Sequence, residues 1–417
     1  MEEVNIEKLV HGGQGLANLS DGRKVFVWNA LPGEKVGIRV IKSKRSYVEA
    51  IAERIVISSA ERMDPREDNF LSTSPWQIMS YEAENKYKSQ IVRELFSREG
   101  VIAPDIGDTI YDNQQWNYRN KMEYSFWGDD DGLHLALHRR GSHGKQIVDG
   151  SVLAQPALDR GARAMLGTLR PLAIRAGDLK TIIVRSSQNS EVVVALYTKL
   201  EEFPKVSLPE GVKGLRVYYS NPKSPASVPT SLLYEIGDAT LSDGLLGKQF
   251  TYDVDSFFQV NLPIYQKALS RIGERCIGDP IDMYAGVGSI GLSIAKKAVR
   301  LVELDPATVA MASINAADSE LEVEVIEAST EKALGYITDS QPVIFDPPRA
   351  GLHSKVVERC LETQPPQIIY LSCNPSTHAR DLRLLQDSYE IEFLEIYNFF
   401  PRTPHIETLA VLGQKQA

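Results

Sequence analysis

Three apolar runs near the C-terminal end are bordered by residues that can do chemistry. Ile368–Leu371 leads into Ser372-Cys373-Asn374-Pro375, Val343–Phe345 leads into Asp346-Pro347-Pro348-Arg349, and Leu409–Leu412 is preceded by His405 and Glu407. A lone cysteine at a strand end is more often inert packing than chemistry. The groups around Cys373 change that reading. Carbon 5 of uracil is a poor nucleophile towards a sulfonium methyl group. Addition of a thiolate at carbon 6 gives an enolate that makes carbon 5 reactive, which is covalent catalysis. A free thiol titrates at roughly 8.5, so such a site must favour thiolate or couple deprotonation to attack. The proton on carbon 5 must then be removed so that the cysteine can leave, and a general base is needed within hydrogen-bond reach. By residue chemistry, His405 and Glu407 both qualify.

A donor pocket is visible upstream. Asp282-Met283-Tyr284-Ala285-Gly286-Val287-Gly288-Ser289-Ile290-Gly291 follows a predicted strand and opens a helix. Glycines there let backbone approach a ligand closely, and the first crossover of a parallel sheet lies beside its binding crevice. A dinucleotide-binding fold would use the same turn. Glu303 ends the next strand, where an acid suits the ribose hydroxyls of an adenosine ligand, while Asp305 before Pro306 suits helix capping. Prolines 347 and 348 remove backbone donors and stiffen the loop, so Asp346 is expected at the carboxyl edge of the sheet. Acid- or amide-Pro-Pro loops mark methyltransferases that act on planar bases or amides.

These residues need a frame. From about residue 251, strand-length apolar runs alternate with helical segments: 280–284, 291–297, 299–304, 308–316, 323–326, 342–345, 354–361 and 367–372. That alternation predicts an α/β domain over 251–417, with a doubly wound, mostly parallel sheet covered on both faces. Residues 1–57 read as a small OB-like β-barrel, with alternation in 24–28 and 36–41 and turns at Gly12-Gly13, Asp21-Gly22 and Pro32-Gly33. Residues 58–250 read as a mixed α+β central domain with a helix at 81–97 and another at 156–175. Basic residues cluster at Lys35, Arg39, Lys42, Lys44 and Arg45, and again in Tyr118–Lys121 and Leu135–Arg140. On an acidic background of net charge -9, such local surfaces are what a nucleic-acid reader would have to use. His134, His138 and His143 lack a carboxylate or cysteine that would complete a metal site.

With 43% hydrophobic and 24% charged residues the chain is of ordinary soluble composition. No apolar run is long enough to cross a bilayer, and the start lacks a basic segment followed by an apolar one. Three cysteines without CxxC spacing argue against disulfides and zinc and for a reducing, cytoplasmic setting. A monomer is expected.

Taken together, the motifs resemble the RNA uracil-5 methyltransferase family, whose members make 5-methyluridine in transfer RNA or 23S ribosomal RNA. The resemblance covers most of the chain: a TRAM-type barrel, a central domain, and a Rossmann-like domain dependent on S-adenosylmethionine. Phe257-Phe258-Gln259-Val260-Asn261 resembles the family's F-x-Q-V-N element, Asp346–Arg349 its D-P-P-R loop and Ser372–Pro375 its S-C-N-P motif. The resemblance implies Cys373 as nucleophile and Glu407, rather than His405, as base. It implies Gln259, Tyr284, Ser289, Glu303 and Asp346 around S-adenosylmethionine. Gln259 and Asp346 would also lie near the uracil, Phe257 would stack on the target base, and Ser329 matches a weaker contact.

One departure is clear. Many members bind an iron–sulfur cluster through four cysteines, and the corresponding stretch here, 65–79, has none. No cluster is expected; packing around Phe70, Leu71, Trp76 and Ile78 would replace it. The front barrel favours 23S ribosomal RNA over the transfer-RNA T-loop as target. Two other classes compete: an amino methyltransferase acting on a base or glutamine, which needs no thiol, and a non-catalytic RNA chaperone.

Overall fold

Alternating apolar residues at the front of the chain fold as a six-stranded sheet, in the computed structural model that describes residues 2–172, 174–224 and 226–415. Val25, Val27, Val36, Ile38, Val48 and Ala50 fill its core, and the predicted strand 24–28 is Lys24–Trp28. Of the five clustered cations, Lys35, Arg39 and Lys42 are paired with Glu3, Glu53 and Glu49 of the same sheet. Much of that edge is therefore neutralised internally.

The helix expected at 81–97 spans Tyr81–Glu99, started by Ser80, whose Oγ accepts from the Ala83 N–H at 3.1 Å, and closed by left-handed Gly100. The central residues form a seven-stranded sheet with spatial order 231–237, 214–219, 192–198, 179–186, 121–129, 132–138, 145–147. Its helix is shorter than expected. The predicted 156–175 ends at Leu169 and tightens into a 3-10 turn over Arg170–Leu172, because Pro171 has no N–H to continue the ladder. His134 faces Asp129 at 2.8 Å, and among the described residues no group of three or more His, Cys, Asp or Glu is arranged to hold a metal ion.

A hairpin, Thr240–Leu245 with Lys248–Asp253, leads into the last domain, so position 251 falls inside a strand. There the expected α/β alternation is realised as a seven-stranded sheet in the order 322–327, 298–303, 281–282, 343–345, 367–372, 407–414, 389–397. The first five strands are parallel; Glu407–Gln414 runs antiparallel to Gln367–Ser372 and pairs antiparallel with Tyr389–Tyr397. Apolar side chains cover both faces. One face packs residues of helices 262–275, 289–294 and 306–317, and the other those of 81–99, 354–363 and 375–385. No helix of the described residues is long and apolar enough to cross a membrane.

Candidate active site

The order of strands reverses at Ile281–Asp282, which pairs with 298–303 on one side and 343–345 on the other. Such a switch point opens a crevice beyond the carboxyl ends of the strands. Four of the chemically promising residues sit at that edge because each ends its strand: Asp282, Glu303, Asp346 just after Phe345, and Cys373 just after Ser372. Glu407 arrives by a different route. Its strand is antiparallel, so its first residue lies where its neighbour ends. The last paired residues are Ser372 and Thr408, and the register carried one step further sets Cys373 opposite Glu407. Residues opposite one another on antiparallel strands have Cβ atoms roughly 5 Å apart.

The electrostatics of this cluster are unusual. Cys373 is half-buried, and desolvation, reinforced by Glu407 and Asp346, pushes its thiol up to about 12. Glu407 is 2% exposed; burial and the nearby Asp346 hold its carboxyl well above the ordinary range. Burial also lifts Asp346 to about 7, with Asp282 adding to the shift. Arg349 opposes these shifts at both Cys373 and Glu407. His405 behaves differently: burial first, then Arg349 and other cations, lower it to about 3. Its Nδ1 lies 3.3 Å from the Arg349 guanidinium, which has only protons to offer. A neutral, weakly basic imidazole follows.

Of the residues expected around an adenosyl ligand, Tyr284, Ser289, Glu303 and Asp346 all lie at or just beyond the carboxyl ends of these parallel strands. Glu303 accepts from the Gly286 N–H at 2.9 Å and from the Leu304 and Asp305 N–H groups. Out of roughly four lone-pair positions on a carboxylate, this leaves one for a donor from the pocket. Gly286 has φ +56°, and a Cβ there would meet nothing within 4 Å, so the turn leaves open space beside it. The Ser289 hydroxyl is 2.9 Å from the Tyr265 hydroxyl, Tyr284 is half-buried, and Thr330 Oγ1 donates to the Met283 carbonyl. Two residues after Gln259, both side-chain polar atoms of Asn261 are buried without a protein partner, as is Asp282 Oδ1. Buried polar atoms of that kind are expected to find a ligand or water, and this donor set fits S-adenosylmethionine. Asp305 caps helix 306–317 through the Thr308 N–H at 2.8 Å, as its sequence context suggested.

Asp282 gives a testable pH effect. Burial raises it from 3.8 to about 7. An acid that binds its proton more tightly folded than unfolded contributes stability at low pH that is lost as pH rises through this window. The shift corresponds to roughly 4 kcal/mol. Asp282→Asn, which can still accept from the Gly291 N–H, should flatten the decline in stability between about pH 4 and 7. Calorimetry of both proteins across that range checks it.

On the substrate side, Cys373 opens into a cleft of about 710 Å³ between the front sheet, the central sheet and the last domain. Arg119, Lys121, Arg140 and Arg349 line it, with His11 and Trp28 from the front sheet. The Arg140 guanidinium lies 3.9 Å from the Trp28 ring centroid. Phe257 is 62% exposed, whereas Phe258 is buried and stacked on Tyr252 at 4.2 Å. Helical or core packing therefore does not explain Phe257.

The family model for tRNA (uracil-5-)-methyltransferases matches residues 336–415, and the TRAM domain model matches residues 1–52. An uncharacterised RNA methyltransferase of Halalkalibacterium halodurans is 31% identical over 99% of this chain and 97% of its own length. One from Enterococcus faecalis is 30% identical over 98% and 96%. The chain belongs to the RNA uracil-5 methyltransferase family. The crystal structure of Pyrococcus abyssi tRNA (uracil-54, C5)-methyltransferase with S-adenosyl-L-homocysteine shares the fold, with TM-score 0.80, 23% identity, and 99% and 100% of the two chains covered.

In this RNA uracil-5 methyltransferase family member, sequence reading missed how the central sheet holds the site. Of the basic segment 118–121, only Arg119 and Lys121 face the cleft. Asn120 is buried, and its Nδ2 donates to the Gln259 carbonyl at 2.9 Å, fixing the segment that carries Phe257 and Gln259. Tyr118 is buried too, its hydroxyl donating to the Pro401 carbonyl at 3.0 Å. Period-2 alternation between two basic residues was the available signal. Arg349 was visible only as the last residue of a motif.

Proposed function

We propose that this protein forms 5-methyluridine in RNA, with Cys373 as nucleophile and Glu407 as base. The reading is carried by one observation: a strand-end thiol in register with a buried carboxylate, beside Asp346. S-adenosylmethionine, held by Gln259, Tyr284, Ser289, Glu303 and Asp346, supplies an electrophilic methyl group on a positively charged sulfur. Cys373 adds to carbon 6 of the uracil, its proton passing to water, and the enolate so formed makes carbon 5 nucleophilic enough to take that methyl group. Gln259 and Asp346 orient the ring; an Asp346 carboxyl titrating near 7 can donate as well as accept a hydrogen bond at neutral pH. Glu407 then takes the carbon 5 proton, the double bond re-forms and the thiolate leaves. His405, lowered to about 3, is the weaker base.

Phe257 is proposed to stack on the extruded base. Base–aromatic stacking is worth roughly 1–3 kcal/mol, so Phe257→Ala should lower kcat/KM by roughly 5- to 150-fold. Its thermal midpoint should barely move, because the ring is already in solvent.

Of the two RNA targets, the front barrel was the feature that favoured 23S ribosomal RNA. The Pyrococcus abyssi protein, named as a transfer-RNA methyltransferase, has the same fold over 99% of this chain, front barrel included. A barrel of this kind is thus compatible with either, and the T-loop of transfer RNA stands as the second reading. Mass-spectrometric mapping of 5-methyluridine in both RNAs, with and without the gene, separates them. Loss of the mark from neither would count against the function itself.

A further inference from the structure

The connection between strands 389–397 and 407–414 runs from Asn398 to Ile406, long for a β-hairpin, whose loops usually hold about two to five residues. A loop that long is free to wander unless something else holds it. Here it is held from outside the sheet by charged side chains with no exposure. Glu84 and Lys88, on the helix Tyr81–Glu99, pair at 3.1 Å and are both fully buried. Lys88 Nζ donates to Asn398 Oδ1 at 2.6 Å and to the Phe400 carbonyl at 3.2 Å. Asn398 Nδ2 donates back to Glu84 Oε1 at 2.9 Å and to Asn85 Oδ1 at 2.8 Å. The backbone N–H of Arg402 lies 3.0 Å from both Glu84 oxygens.

Arg402 has φ +65°, a left-handed conformation that a side chain disfavours. Its guanidinium donates to the Met79 carbonyl at 2.8 Å and to Gln115 Oε1, and lies over the rings of Trp116 and Tyr81. The Trp76 N–H donates to the Arg402 carbonyl, and Pro404 packs where a Cβ on Gly13 would stand. The loop that leads to Glu407 is thus held at Asn398, Phe400, Arg402 and Pro404.

A buried ion pair is weak evidence for stability, because desolvation offsets the attraction; apolar residues of similar volume often do as well. What Glu84 and Lys88 offer that apolar residues cannot is direction: an acceptor for a strained N–H and donors for two loop oxygens. We propose that Glu84, Lys88, Asn398 and Arg402 form a positioning clamp that sets Glu407 against carbon 5 of the substrate ring, a role that rests on Glu407 being the base. In that step the C5–H bond breaks, its proton goes to the Glu407 carboxylate, its electron pair forms the C5=C6 double bond, and the C6–S bond breaks to give the Cys373 thiolate. Methyl transfer precedes this step and does not use Glu407, so damage to the clamp should fall on elimination.

The test compares Lys88→Met, Arg402→Gly and Glu407→Gln with the wild type on a substrate RNA carrying 5-tritiated uridine, and in parallel with methyl-labelled S-adenosylmethionine. Arg402→Gly suits the backbone, so it guards against Lys88→Met failing to fold. Both clamp variants should transfer methyl at near wild-type single-turnover rates. Their tritium release should slow by roughly 10- to 100-fold, the scale of a misplaced catalytic group, and a denaturation-stable protein–RNA adduct should accumulate. Equal slowing of both steps without adduct would overturn the clamp, since a purely structural network predicts that pattern. Adduct in Glu407→Gln but in neither clamp variant would reject the clamp alone. No adduct even in Glu407→Gln would reject the base assignment and the clamp with it.

Discussion

Cys373→Ala should abolish methylation, by on the order of 10⁴- to 10⁶-fold, while RNA and cofactor binding persist. Without the thiol there is no adduct at carbon 6, and carbon 5 stays a poor nucleophile however well the methyl donor is held. The wild type should form a denaturation-stable complex with substrate RNA containing 5-fluorouridine, because fluorine cannot be abstracted as a proton; the variant should form none. Substantial activity in Cys373→Ala would instead indicate direct attack by an amino nitrogen, the chemistry that the Asp346-Pro347-Pro348 loop alone would allow. The pH dependence has a definite sign. Burial and two carboxylates push the thiol up to about 12, so the resting form at neutral pH is the thiol. Glu407 is also shifted upward, and it must be ionised to accept a proton. Both shifts require activity to rise with pH through the neutral range. A rate that fell with rising pH there would contradict the assignment.

How much of this could be read from sequence depends on whether a residue's role follows from its own strand or from a neighbour's. Asp346 and Cys373 were legible because each ends a continuous apolar run, and in a parallel sheet that alone fixes the edge they occupy. Asp305 was legible from Pro306 beside it. That Cys373 faces Glu407 was not legible, since it follows from an antiparallel register between strands separated by a helix and a third strand. The clamp was hidden by its polarity: Glu84, Asn85, Lys88 and Ser89 add nothing to an apolar helix pattern, yet all are buried. Hydrophobic periodicity cannot find a face that is buried by hydrogen bonds. The pairing of three of the barrel's cations was hidden for the matching reason, since sequence does not show that Glu3, Glu49 and Glu53 lie across the sheet from them.

Glu407→Gln should separate the two halves of the reaction more sharply than any other change. General-base catalysis typically contributes about 10²- to 10⁴-fold, so multiple-turnover activity should fall by that range. Addition of Cys373 and the arrival of one methyl group need no base at carbon 5, and a single methyl equivalent should still reach the RNA. The product should stay attached to the protein on ordinary uridine, with no fluorine required, and be seen as a methyl-labelled band that survives denaturation. Stability supplies an independent check on the environment. Burial and Asp346 raise Glu407 above its unfolded value, so the folded state binds its proton more tightly than the unfolded one does. Stability is then fully present below the unfolded carboxyl range and is lost as pH rises towards the folded value. Glutamine cannot ionise, so the variant should gain thermal stability relative to the wild type as pH increases above that range. A variant that lost turnover, held no RNA and melted lower at every pH would show that Glu407 supports the fold, and that the proton on carbon 5 leaves by another route.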